Sequence, residues 1–449
     1  MAVAADGVPN PAFIPVPAES RRGFVAGNGQ NRASAFAVAN GKGYTPAAVV
    51  SLRERILLVT LFITVLASSI AFIEPSPHDA LMGALALAAV IAGVRLNRTL
   101  VLLVLCLVVW NVSGLISLIN ALDIPKTIQY AATSIYLAIA AILFACLFSE
   151  NTMPRVTVMR IAYVITATCA ALLGTAGYFH AFPGSDIFAP TGRALGAFKD
   201  PNVFSPFLIW PALFLMYRVL AERIRLLDLI PLGCILLGLL LSFSRGAWFH
   251  FAVSAIVTVG LAFLTAPTQK ARFRVFGLSI FSLAVLVAFI VVLLSIPAVQ
   301  VMFKERAHLI NSYDVGQGGR FRLQEIALSS VLMFPDGMGP FGFATAQGLQ
   351  QHNVYLQAFL VYGWTGAMAY ILMLLATVFI GFRTVFVRTP WQPYMVTALA
   401  AFVGEMAEGF VIDSDHWRHF FLLLGMVWGL AAATLKRVRA TPRPVAAMN

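Results

Sequence analysis

Charge is what this 449-residue sequence has least of. Asp, Glu, Lys and Arg make up 11% of it, against about 25% in a soluble domain, which excludes an ordinary water-soluble globule. Cysteine is scarce as well. Cys106, Cys146, Cys169 and Cys234 each sit in an apolar run with no CxxC and no paired spacing. That excludes a disulfide framework or thiolate metal site and leaves four small buried hydrophobes. No HExxH, GxSxG or Walker-type loop occurs, so zincin, serine-hydrolase and P-loop chemistry have no carrier. No internal repeat is visible, and no basic stripe is interleaved with aromatics. The net charge of +12 therefore does not read as a nucleic-acid surface. Residues 1–50 lack the apolar core of a signal peptide. Rich in Ala, Gly, Pro and Asn, they are expected to form a disordered cytoplasmic tail.

What remains in abundance is apolar sequence: 60% hydrophobic residues and a mean hydropathy of +0.85. The expected fold is an all-α polytopic membrane protein. A spanning helix needs about 20 apolar residues, and about twelve candidate spans can be counted. They start near Arg55, Asp79, Thr99, Lys126, Thr157, Asn202, Leu226, Gly246, Phe273, Asn353, Tyr394 and His416. Together they make a transmembrane domain over 51–436. A large outer loop at 297–352, with short helices, interrupts it, and a cytoplasmic tail at 437–449 follows.

Cytoplasmic loops collect Lys and Arg. With the N-terminus inside, 22 of the 31 basic residues fall on the cytoplasmic side, so both termini are expected there. The exceptions carry the information: Lys126, Arg193, Lys199, Arg245, Lys304, Arg306, Arg320, Arg322 and Arg418. All but Lys126 fall in the loop 179–202, the turn 242–245, the loop 297–352 or the turn 413–418. Cations clustered on the outer face point to an anionic ligand. The competing reading is pairing with Asp200, Glu305, Glu325, Asp413 and Asp415.

Five stretches are candidates for carrying chemistry. Ser242-Phe243-Ser244-Arg245-Gly246 is a tight reversal between two apolar runs. It holds Arg245 near the hydrocarbon boundary, either snorkelling to the surface or binding a ligand; the planar guanidinium fork suits phosphate oxygens. Gly192-Arg193 to Asp200-Pro201-Asn202 closes an outer loop. Lys199 there touches a phosphate or pairs with Asp200, and Asn202 lies near a helix N-cap. Arg320 and Arg322 open a short amphipathic helix, Phe321 to Met333, and point in different directions, since residues two apart are about 200° apart on a helix. Arg322 has Glu325 at i+3 as a partner, which leaves Arg320 as the better site candidate. His352 and Asn353 stand at the start of a helix. A lone histidine there is either structural or, with a reference pKa of about 6.5, a proton acceptor. Asp413-Ser414-Asp415 resembles a DxD metal motif only weakly, and an ion-pair network with Arg418 or the loop arginines competes with it.

These residues, in order, resemble a known set: Ala197-Phe198-Lys199-Asp200-Pro201-Asn202, Ser244-Arg245-Gly246, Gly319-Arg320, Pro335-Asp336-Gly337-Met338-Gly339, then His352-Asn353 with Gly363 and Gly366. The pattern resembles the O-antigen ligase and polymerase (Wzy/WaaL-like) superfamily over roughly Gly192 to Gly429. The His-Asn-x9-Gly-x-x-Gly element is its most specific part. One position departs: Gln324 stands where the family often has tryptophan.

The resemblance implies a GT-C-type membrane glycosyltransferase, independent of metal and cofactor, in the bacterial inner membrane with its site on the periplasmic face. The implied donor is a glycan on undecaprenyl diphosphate. The implied acceptor is a sugar hydroxyl of a glycan or of lipid A-core, and membrane lipids and a chain-length regulator are the further partners. Arg245 and Arg320 would bind the diphosphate and His352 would activate the acceptor. Lys199, Asn202, Arg322, Asn353 and Arg193 are the remaining substrate-binding candidates. Polymerase and ligase readings both fit this set. A transporter fits less well, because it would place its polar residues near mid-membrane in repeated halves.

Overall fold

A computed structural model describes residues 51–306 and 319–440 of the chain. The calls on 1–50 and 441–449 lie outside the described residues. Among the described residues there are helices and no strands. In chain order they are α1 (Leu52–Leu66), α2 (Pro77–Ile91), α3 (Val101–Ser117), α4 (Ile124–Ser149), α5 (Thr152–Tyr178), α6 (Pro201–Ala221), α7 (Leu226–Leu241), α8 (Arg245–Thr265), α9 (Gln269–Leu293), α10 (Pro297–Arg306), α11 (Arg320–Met333), α12 (Gly342–Gln347), α13 (Val354–Val385), α14 (Gln392–Glu408) and α15 (Arg418–Ala440).

Each apolar stretch expected to span the membrane is a helix, but they are of two kinds. Eight are long and apolar enough to cross a membrane: α3 with its flanking turns, α4, α5, α6, α8, α9, α13 and α15. The other four, α1, α2, α7 and α14, have 15, 15, 16 and 17 residues. At 1.5 Å per residue they reach about 22–26 Å, short of a hydrocarbon core of about 30 Å. The last helix also runs four residues beyond the expected boundary at 436, to Ala440. The cysteines are free as expected, yet only Cys106 and Cys146 are buried; Cys169 is exposed.

Local chemistry sets the helix starts. Ser76 and Asp79 form a capping box ahead of α2, with Pro77 at its first position. Asp123 caps α4, Asp200 caps α6 and Asn353 caps α13 through side-chain oxygens on first-turn N–H groups. Such a cap satisfies a donor that would otherwise go unpaired, and its loss costs about 1 kcal/mol.

The interior is built around α6 and α15, whose apolar windows are 83% and 78% buried, while α9 is 6% buried and lies at the periphery. α15 packs along α4, α13 along α3 and α14 along α8. The α15–α4 contact depends on Gly425 and Gly429. A Cβ on either would come within 2.6 Å of the Ala141 or Ala145 carbonyl oxygen, the close approach that a small-xxx-small face permits.

The Pro335–Gly339 elbow and Gly363 form one joint. Gly363 interrupts α13 with φ 66° and ψ −176°, a conformation essentially confined to glycine. Met338 N donates to Leu360 O at 2.6 Å and Trp364 N to Pro335 O at 2.8 Å. The break in α13 thus exposes backbone groups that the elbow satisfies. Behind it, α11 packs Leu323, Ala327 and Val331 against Phe343 and Leu360. The polar loop is thereby fixed to the helix that His352 precedes.

Candidate functional site

The starts of α6, α8 and α11 meet the ends of α10 and α14 around one cavity of about 220 Å³. Among the described residues its wall is made by Arg193, Asn202, Phe243, Ser244, Arg245, Gly246, Arg306, Arg320, Glu408, Val411 and Ile412. Four guanidinium groups from distant segments face one carboxyl group.

Each arginine is placed by its local structure. Ser242 ends α7, and Phe243 turns the chain with φ 48°. This left-handed conformation costs a non-glycine residue about 1–2 kcal/mol. The reversal makes Arg245 the first residue of α8. Arg320 is likewise the first residue of α11, after Gly319. A cation at a helix N-terminus opposes the helix dipole, at a cost of about 0.3–1 kcal/mol. Two such placements in one cavity make sense together with an anion, which both the guanidinium and the helix start attract. Arg193 is fixed by donating from Nε to Ser242 O at 2.8 Å and from Nη2 to Asn202 Oδ1 at 2.9 Å. The Nε atoms of Arg306 and Arg320 are buried with no hydrogen-bond partner among the described residues. Unsatisfied buried donors of this kind are costly until an acceptor arrives.

Not every candidate joins this wall. Arg322 points away and pairs with Glu325 at 2.6 Å, both exposed, so of the two arginines it is Arg320 that faces the cavity. Lys199 pairs with Glu74 at 3.1 Å rather than with Asp200, and Asp200 is the N-cap expected near Asn202. Asn353 is an N-cap, its Oδ1 accepting from Tyr355 N and Leu356 N at 3.0 and 3.1 Å.

His352 lies beside the cavity, outside the residues that line it. Its φ is 49°, again left-handed. Its carbonyl accepts from Gln324 Nε2 at 3.2 Å, and the same amide reaches Phe410 O at 3.2 Å. Gln324 is one helical turn beyond Arg320, on the same face of α11. The residue that departs from the resembled pattern therefore ties the arginine helix to the histidine turn. Asp413 completes the turn: Oδ1 accepts from Asn353 N at 2.8 Å, and Oδ2 lies 3.5 Å from His352 Nδ1. Burial raises the Asp413 carboxyl above the ordinary carboxylate value, partly offset by His352. At Asp415 burial acts in the same direction but is outweighed by the charge and hydrogen bond of His416 and by the Tyr130 hydroxyl, which leave it below that value. Arg418 binds neither aspartate. It forms a two-pronged pair with Asp79 at 2.7 and 2.8 Å, so in place of the expected Asp413–Asp415–Arg418 network there are three ion pairs: Asp413 with His352, Asp415 with His416 and Arg418 with Asp79. Among the described residues no group of three or more His, Cys, Asp or Glu is placed to hold a metal.

Sequence reasoning passed over Arg306 as a wall residue and missed four buried groups entirely. Glu408 Oε2 lies 2.8 Å from His250 Nδ1, and His419 Nε2 lies 3.5 Å from Glu405 Oε1. All four are at most 5% exposed. A signal was available: ionisable residues inside apolar helices are rare and mark function by default.

No protein-family model matches the chain, and no curated protein is significantly similar to it.

Proposed function

We propose that the chain is a GT-C-type membrane glycosyltransferase that moves a glycan from a polyprenyl-diphosphate carrier onto a sugar hydroxyl. The single observation that carries the reading is the convergence of Arg193, Arg245, Arg306 and Arg320 on one cavity. Expelling a lipid diphosphate from an anomeric carbon builds negative charge on the leaving group. Fixed guanidinium groups stabilise that charge without reorganising. The carrier's lipid tail would hold the donor in the bilayer, which supplies proximity. His352, oriented by Asp413, is the base for the acceptor hydroxyl. The cavity would open to the periplasmic face of a bacterial inner membrane, and the product would be an O-antigen or exopolysaccharide chain. The resemblance of Ser244-Arg245-Gly246, Gly319-Arg320 and His352-Asn353 to the O-antigen ligase and polymerase superfamily supports the same reading.

The two neighbouring arginines provide the test. With a purified undecaprenyl-diphosphate-linked donor, Arg320→Ala should lower transfer by about 10²–10³, and Arg322→Ala should change it only a few-fold, since Arg322 is an exposed ion pair. Equal losses would overturn the site. A deletion strain then separates the two products. Single repeats on lipid A-core without long chains identify a polymerase, and long chains retained on the lipid carrier identify a ligase.

A further inference from the structure

Glu408 is the one acid among the described wall residues of the arginine cavity, and its own contacts say where a proton can go. His250 Nε2 lies 3.0 Å from the Ala401 carbonyl oxygen. A carbonyl only accepts, so this nitrogen carries a hydrogen. His250 Nδ1 lies 2.8 Å from Glu408 Oε2, and the two atoms therefore share a proton. Either an imidazolium donates to a carboxylate or a carboxylic acid donates to a neutral ring. The remaining oxygen, Oε1, is buried with no hydrogen-bond partner among the described residues. It is aimed at the Arg245 turn: a Cβ on Gly246 would lie 2.9 Å from it.

We propose that Glu408 Oε1 is a proton-binding site coupled to the arginine cavity, so that a diphosphate-class anion enters together with a proton. The inference rests on the diphosphate reading of that cavity and is independent of the transfer step. With Glu408 ionised, its charge opposes an incoming anion and competes for the same guanidinium groups. A proton from solvent on Oε1 removes that charge. The proton shared between Oε2 and His250 Nδ1 stays in place, so the pair changes from net zero to net positive as the anion arrives. The charged and titratable groups facing Glu408 are consistent with this direction. Arg245 and His250 face it from α8, Arg193 from the loop before α6, and Arg306 and Arg320 from α10 and α11. Glu405 stands one turn away on its own helix, with neither oxygen hydrogen-bonded among the described residues. His419 of α15 faces Glu405 at 3.5 Å, and Tyr163 of α5 and Tyr370 of α13 lie within its electrostatic reach.

The experiment is inorganic pyrophosphate binding to the purified full chain across a pH series, for the native protein and for Glu408→Gln. The ratio of the two Kd values cancels the ligand's own titration. It should rise with pH by up to tenfold per unit as Glu408 ionises, with the native chain the weaker binder at high pH. Pyrophosphate binding with a flat ratio overturns the coupling and leaves the diphosphate reading intact. Absence of pyrophosphate binding to the native chain at every pH overturns both. Should Glu408→Gln not fold, calorimetry on the native chain with methanedisulfonate, a non-titrating dianion, reads the same proton. Binding enthalpy that varies with the ionisation enthalpy of the buffer supports uptake, and buffer-independent enthalpy overturns it.

Discussion

His352 and Asp413 meet at 3.5 Å on a half-exposed turn, while His250 and Glu408 meet at 2.8 Å with both side chains 1% exposed. Both are imidazole–carboxylate pairs beside the same arginines, and they differ in what holds them. The first is held by backbone: a left-handed His352, the Asn353 N–H on Asp413, and Gln324 bridging two carbonyls. It stores strain beside solvent, as a group that must meet a substrate can. The second is held by helix packing. α8 and α14 approach so closely that a Cβ on Gly404 would come within 2.5 Å of the His250 ring. It holds the shared proton inside that packing. One fold thus holds one such pair at a half-exposed turn and the other inside helix packing.

The sharpest way to break the contrast is His352→Ala. Transfer should fall by about 10²–10⁴, the range for a positioned base, with insertion and melting nearly unchanged because the side chain is half exposed. Near-normal turnover would remove the base role from His352 and direct attention to Glu408. The next effect is on stability. Glu408→Ala leaves His250 buried without its partner and should cost about 1–3 kcal/mol. Asp413→Ala, on the more exposed turn, should cost less. Thermal unfolding of the two variants in one detergent reads the difference, and an equal drop would erase it.

A smaller effect is the pH dependence contributed by Asp413. Its carboxyl is raised in the fold by burial. Between the ordinary and the raised value the folded chain keeps a proton that the unfolded chain has released. This group's contribution to stability is therefore full below that window and is lost as pH rises through it. Asp413→Asn should melt less steeply with pH than the native chain as pH rises above the ordinary carboxylate value of about 4, and parallel curves would deny the shift. Least of all, Lys199→Ala removes only an exposed pair with Glu74 and should change stability by about 0–1 kcal/mol, with transfer nearly intact. A large loss of transfer would bring Lys199 into the site.

Much of this was legible before folding. The positive-inside tally set apart nine cations as needing a reason, because a Lys/Arg bias is a one-dimensional property of loops. Arg193, Arg245, Arg306 and Arg320 are among them, but the tally did not separate them from Lys126, Lys199, Arg322 and Arg418, which pair elsewhere. Glu325, three residues after Arg322, marked a local pair, because residues at i and i+3 on a helix face each other. The partner of Lys199 was sought at Asp200 because Glu74 is 125 positions away, and Asp413 and Asp415 were grouped by adjacency although each serves a different histidine.

Apolar run length and loop charge by themselves determined a helical membrane protein with a polar segment between Pro297 and His352, since the bilayer admits few other solutions for such a chain. Helix ends followed from caps that act over three or four residues. Only the tertiary structure decided that the starts of α6, α8 and α11 share one cavity with Glu408. It also decided that Arg320 rather than Arg322 faces that cavity, and that His352 stands at its side. These outcomes depend on which helices lie against each other. That is settled by close backbone approach at residues such as Gly363, Gly404 and Gly425, a three-dimensional fit that no local spacing encodes.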